Sequence, residues 1–274
     1  MMGDFIWGVP MALLLMGTHL WMTVRTGGIQ RKMLFAVKLS FASDKSASGE
    51  ISNFGALMVA LAATMGTGNI IGVGTAVAMG GPGAIFWCFL TGLFGIATKY
   101  AEGLLSIKYR IRTRDGMMHG GPMYAIERGM NCKWLAILFA LFAFLASFGI
   151  GCTIQSNAIA TMADESFGWS AQWVGAVLAI LVGSVIIFGV KGISKVCELL
   201  VPFMAAFYII GCLVLLIVNA NLLPEALLII VKSAFSEQAA TGGFIGSTIM
   251  LSMRFGIARG LFSNEAGLGS APIV

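Results

Sequence analysis

The sequence predicts an all-α, polytopic membrane protein, and three observations carry that expectation. Of its 274 residues, 58% are hydrophobic and only 11% are charged, with a mean hydropathy of +0.91; a soluble domain carries about a quarter charged residues. Apolar runs near the ~20 residues needed to cross a bilayer follow one another along the chain. Lysines and arginines gather between those runs, so the net charge of +5 speaks for orientation in a membrane rather than for nucleic-acid binding.

Seven spans are expected, at 4–25, 52–79, 84–107, 134–161, 171–189, 196–219 and one beginning near 241. The first carries Asp4, with neither a basic leader nor a small-residue cleavage site, and reads as a span rather than a signal peptide. The connection after it holds Arg25, Arg31, Lys32, Lys38 and Lys45. The connection after the third holds Lys108, Arg110, Arg112, Arg114, Arg128 and Lys133, and the one after the fifth holds Lys191 and Lys195. In the loops opposite stands Lys232 alone. The basic loops are therefore expected in the cytoplasm and the N-terminus outside.

Between the first two spans, Ile29, Met33, Val37 and Phe41 fall on one helical stripe with Arg31, Lys32 and Lys38 elsewhere. This spacing fits an interfacial helix on the cytoplasmic leaflet and equally a polar linker with chance periodicity. Gly80-Gly81-Pro82 and Gly120-Gly121-Pro122 read as turns in which glycine reverses the chain and proline opens the next helix. The first joins two spans tightly; the second starts a short helix in the longest cytoplasmic loop.

The second span carries the most informative feature, Met65-Gly66-Thr67-Gly68-Asn69 in the middle of an apolar run. Glycine is a poor helix former, so this stretch is expected to unwind at bilayer depth. Unwound backbone in hydrocarbon is tolerated only where protein or a polar cavity surrounds it. The carbonyls of Ala62, Ala63, Thr64 and Met65 would end one half-helix and suit a hard cation such as Na⁺. The amides of Gly68, Asn69 and Ile70 would open the next and suit a carboxylate. Gly72, Gly74 and Ala76 read instead as helix packing.

The seventh span repeats the theme. Ser263, Asn264 and Glu265 are consecutive polar residues flanked by Gly260 and Gly267 near the expected midplane, with Pro272 placed to open a second helical half. Ser263 and Asn264 could bind the polar ends of a solute, while Glu265 and Arg259 are expected to ion-pair with each other or elsewhere. The second span enters from the cytoplasm and the seventh from outside, the relation expected of corresponding helices in an inverted repeat. In the fourth span Gln155 interrupts an apolar run, which is more often an interhelical hydrogen bond than a ligand contact. Lys99 with Glu102, and Lys195 with Glu198, read as local ion pairs at helical spacing. His19 reads as a packed or interfacial histidine, and Arg254 as a residue that snorkels or pairs.

No arrangement of catalytic or metal-binding groups stands out. Neither His19 nor His119 has a carboxylate or cysteine at motif spacing, and the five cysteines give no disulfide or zinc pattern. An enzyme is not expected, nor an organic cofactor. A membrane sensor is disfavoured with it. Two function classes remain: cation-coupled symport of a small amino acid, and a passive channel or facilitator for small polar solutes. The channel needs polar residues along whole helices, and here they cluster at one depth.

Four segments together resemble the alanine/glycine:cation symporter family, also called amino acid carrier proteins. They are Gly66-Thr67-Gly68-Asn69-Ile70, then Gly80-Gly81-Pro82-Gly83-Ala84-Ile85-Phe86-Trp87, Gly121-Pro122-Met123-Tyr124, and Arg259 through Gly267. The resemblance implies a leucine-transporter-type fold of two inverted five-helix repeats, here with 4–25 as an extra span, 52–219 as the first repeat and 241–274 as the start of the second. It implies a plasma-membrane carrier that moves a small neutral amino acid, alanine or glycine, with Na⁺ or H⁺. Carried over by motif, Thr67, Gly68 and Asn69 hold the substrate carboxylate, Ser263, Asn264 and Gly267 line the other break, and Gln155 reaches the bound amino acid. The carbonyls of Ala62 and Met65 contribute to a Na⁺ site. The sequence stops at Val274, soon after the sixth core helix begins, so the resemblance also implies an N-terminal fragment that does not transport alone.

Overall fold

The computed structural model describes residues 8–42, 51–114, 116–235 and 249–273. The expected starts of the first and seventh spans, at 4–7 and 241–248, lie outside the described residues. Helices dominate. In chain order they are α1 (Val9–Arg25), α2 (Met33–Ser40), α3 (Asn53–Thr64), α4 (Val73–Gly80), α5 (Gly83–Tyr109), α6 (Pro122–Gly129), α7 (Lys133–Ala146), α8 (Thr153–Phe167), α9 (Ala171–Ile186), α10 (Gly189–Val218), α11 (Leu223–Phe235) and α12 (Ile249–Asn264). Among the described residues, three stretches are long and apolar enough to cross a membrane, Gly83–Tyr109, Lys133–Phe167 and Gly189–Val218. A fourth is an interrupted pair, Asn53–Thr64 with Gly68–Gly80. Phe203, Phe207 and Ile217 on α10 are each more than 70% exposed, as expected of side chains that face lipid.

The chain divides into two compact units. The first comprises residues 1–37, 64–102 and 203–269; the second comprises 38–63, 103–202 and 270–274. The boundary between 63 and 64 falls at the break that the glycines of the second span predict.

In the first unit, α12 packs on α5 through small residues. A methyl group at Gly256 would lie 2.4 Å from the Ala84 carbonyl oxygen and 2.7 Å from Trp87 Cβ. One at Gly260 would lie 2.8 Å from Thr91 Cβ and 3.0 Å from the Cys88 oxygen. Gly256 and Gly260 thus form a small-xxx-small face that lets two backbones approach. The contacts advance together along both helices, from Gly256 at Ala84 to Gly260 at Thr91, so α5 and α12 run parallel. α1 closes the core, with Ala12 buried beside Ile257 and Leu261. At the far end Trp87 donates to the Ala234 carbonyl (3.4 Å) and stacks with Phe235.

In the second unit, the Glu198 carboxylate accepts hydrogen bonds from the Ser52 (3.1 Å) and Ser194 (3.3 Å) hydroxyls, anchoring the start of α3. The expected local pairing with Lys195 gives way to these hydroxyls, which face the carboxylate directly.

Both Gly-Gly-Pro turns form where expected. Gly81 (φ 75°) links α4 to α5, and Gly121 (φ 122°) precedes Pro122 at the start of α6. Two features depart from the sequence reading, and one reading left open becomes a helix. The loop after α5 contains a two-stranded antiparallel hairpin, β1 (Ile111–Arg112) with β2 (Met118–His119). Residues 29–40, open between helix and linker, are a 3₁₀ turn (Ile29–Lys32) running into α2. Lys232, expected in a loop, sits in α11, because Pro224 at the start of a short apolar helix resembles loop chemistry.

Candidate functional site

The second span is interrupted as its composition demands. α3 ends at Thr64, Met65 and Gly66 are non-helical, and a π-turn over Gly68–Gly72 leads into α4. The side chain of Asn69 repairs part of the damage: its Nδ2 donates to the Thr64 carbonyl (2.9 Å). Its backbone N–H donates to Gly66 (3.1 Å). The Thr64 carbonyl and the Asn69 amide, expected to face an ion and a carboxylate, each also have a partner inside the break, supplied by a short polar side chain and a tight turn.

The second interruption lies at the end of α12. The helix continues through Gly260 to Asn264, so Gly260 packs on α5 rather than flanking the break, and Ser263 and Asn264 form the last turn. Glu265 then adopts φ 54°, and its N–H reaches the Leu261 carbonyl (2.8 Å), a left-handed helix end usually reserved for glycine. Asn264 Oδ1 accepts the Ala266 N–H (2.9 Å), while Asn264 Nδ2 lies 3.4 Å from the Thr91 carbonyl oxygen. Gly267 (φ 90°) and Gly269 (φ 70°) complete the turn.

These two interruptions meet in the first unit. The Ser263 hydroxyl donates to Asn69 Oδ1. A methyl at Gly68 would touch the Phe262 ring at 3.4 Å, and one at Gly72 would lie 3.5 Å from Arg259 Nη1. Near the other end, the Ser252 hydroxyl donates to the Gly80 carbonyl. As the chain advances from Gly68 to Gly80, its partners retreat from Phe262 to Ser252. The segment after the first break and α12 therefore run antiparallel, the direction that the charge pattern of the loops implies.

Thus Gly68, Asn69 and Ser263 converge directly, with Asn264 and Gly267 on the same turn. Gln155 and Ala62 belong to the second unit, and Thr67 and Met65 to the first.

Sequence reasoning missed the support from α5. Lys99 Nζ donates to the Asn264 carbonyl (3.0 Å) and lies 3.9 Å from Glu265 Oε2. Glu102 Oε1 accepts the Gly267 N–H (3.0 Å). Gly95 makes room for the Asn264 amide, since a methyl there would lie 3.0 Å from Nδ2. The i, i+3 spacing of Lys99 and Glu102 suggested only a local pair. Their position on the stripe Ala84, Cys88, Thr91, Gly95, Lys99, Glu102 was the available signal. Arg259 and Glu265 were expected to pair with each other or elsewhere, and Glu265 pairs elsewhere, with Lys99. His19 is fully buried, as a packed histidine should be, and shares a 2.7 Å hydrogen bond with Thr98.

Gly267 offers a prediction. Its φ of 90° suits only glycine, and a methyl would meet Leu15 Cδ2 at 3.2 Å. Gly267→Ala is expected to destabilise the protein by about 1–3 kcal/mol, the cost of placing a side chain at such a backbone angle. A thermal-denaturation midpoint in detergent equal to wild type would contradict this.

The sodium:alanine symporter family matches residues 1–274. An uncharacterized transporter of Haemophilus influenzae is 51% identical over 272 residues, covering 98% of this chain and 60% of that protein. The sodium/alanine symporter AgcS of Methanococcus maripaludis is 48% identical over 277 residues, covering 98% of this chain and 60% of that protein. A putative sodium/proton-dependent alanine carrier, YrbD of Bacillus subtilis, is 38% identical over 278 residues, covering 99% and 56%. The chain spans 60% or less of the length of these relatives. With its full length matched and identities of 48–51% to two relatives, the chain belongs to the sodium:alanine symporter family.

Proposed function

We propose that this chain forms the solute-binding part of a secondary active symporter, which moves a small neutral amino acid, alanine or glycine, with Na⁺ across the plasma membrane by alternating access. The observation that carries the reading is the antiparallel meeting of two helix interruptions, joined by the Ser263–Asn69 hydrogen bond. Polar backbone and side chains at one depth of an apolar bundle suit a zwitterion and a small hard cation. The name of AgcS, a sodium/alanine symporter, supports the same pair of solutes.

In this reading the fold is of the leucine-transporter type, with residues 52–219 as one inverted repeat, 241–274 opening the next and the N-terminus outside. Thr67, Gly68 and Asn69 take the substrate carboxylate, and Ser263, Asn264 and Gly267 the other side of the substrate. Gln155 reaches the bound amino acid. The carbonyls of Ala62 and Met65 belong to the Na⁺ site, and H⁺ is the other candidate coupling ion. Small substrates are favoured by crowding: even a methyl at Gly68 would stand in contact with the Phe262 ring, at 3.4 Å.

Equilibrium binding of alanine to the purified full-length protein tests this. Replacing Na⁺ by choline at fixed pH is expected to weaken alanine binding at least ~10-fold, about 1.4 kcal/mol of coupling. Affinity that is indifferent to Na⁺ would overturn the coupled-carrier reading.

A further inference from the structure

The second interruption is held open by charges that lie on neither broken helix. Where α12 ends, its last carbonyls carry the negative end of the helix dipole, and the Lys99 ammonium donates to the Asn264 oxygen (3.0 Å). One turn further along α5, the Glu102 carboxylate receives the N–H of Gly267 (3.0 Å). Each charge therefore meets backbone of the opposite polarity on either side of Glu265. Charge-assisted hydrogen bonds of this kind are roughly twice as strong as neutral ones.

The parallel register explains why the match is possible. α5 and α12 advance side by side, so Lys99 falls level with Asn264 and Glu102 level with Gly267. The small residues before them, Gly256 and Gly260 on α12 with Gly95 on α5, bring the backbones close enough for both side chains to reach. Glu265 itself keeps φ 54°, a conformation that a non-glycine residue retains only when its surroundings fix it.

We propose that Lys99 and Glu102 are positioning residues: a two-charge clamp that fixes the turn 265–269 and, through it, the Asn264 amide beside the substrate. The effect on substrate rests on the carrier reading above; the effect on the turn does not. Two measurements on the full-length protein separate them. By hydrogen–deuterium exchange, Glu102→Gln is expected to speed amide exchange across 266–269 at least ~10-fold, with exchange over residues 250–258 of α12 unchanged. In proteoliposomes, Lys99→Met is expected to raise KM for alanine at least ~10-fold with little change in kcat, and Lys99→Arg to restore most of the loss.

Unchanged exchange at 266–269 in Glu102→Gln overturns the clamp. So does faster exchange over 250–258 as well, which marks a general loss of packing. A fall in kcat at constant KM, or no rescue by arginine, overturns the positioning role. If wild-type protein neither binds nor transports alanine, the carrier reading fails, and the exchange experiment still decides the clamp.

Discussion

Gly256→Val is expected to lose more stability than any other single substitution considered for this chain, by about 3 kcal/mol or more. The first added carbon would lie 2.4 Å from the Ala84 oxygen and 2.7 Å from Trp87 Cβ. The Ala84 oxygen belongs to helical backbone, so relief requires α5 and α12 to separate, not a rotamer change. Separation would also pull Lys99 and Glu102 from the turn they hold. Gly74 provides the control, because nothing lies within 4 Å of a methyl there. Gly74→Ala should leave the thermal midpoint in detergent unchanged or slightly raised, since alanine favours helix by about 1 kcal/mol. A Gly256→Val protein that melts with wild type would mean that the α5–α12 packing does not organise the first unit.

Asn264→Ala is expected to give the largest functional loss. In the structure its carboxamide accepts from Ala266 and faces the Thr91 carbonyl, so it both shapes the turn and presents a polar group beside Ser263. Truncation leaves the Ala266 N–H unpartnered and, in the proposed site, removes a contact with the substrate. Losing such a hydrogen-bonding group costs about 1–3 kcal/mol, which corresponds to roughly 5- to 150-fold in alanine affinity. Equilibrium binding is the measurement, with Asn219→Ala as a control, since that side chain bonds only to its own helix at Leu215. Wild-type affinity in Asn264→Ala would remove the α12 terminus from the substrate site.

How much of this could be read in the residues depends on the range of the interaction. The break at Met65–Thr67 follows from local glycine content and was legible. The antiparallel course of the segment from Gly68 and of α12 followed from loop charges, which report the direction of every span. The exact end of α12 was not legible, because Gly260 looks identical whether it breaks a helix or packs it. Only the approach of Thr91 and Cys88 decides for packing. Lys99 and Glu102 were misread for the same reason. Their spacing fits a local pair, while their partners lie more than 160 residues away. The polar side chain of Asn69 was legible as part of the break, but its bond to the Thr64 carbonyl was not, since it required the geometry of the break.

The central claim is that two interrupted helices grip a zwitterion and a cation together, so that one moves with the other. Proteoliposomes containing the full-length protein, given an inward Na⁺ gradient and radiolabelled alanine, test it most directly. The account predicts transient accumulation of alanine above its outside concentration, abolished when Na⁺ is equal on both sides. Alanine that merely equilibrates, at a rate independent of the Na⁺ gradient, would contradict it and mark a passive facilitator.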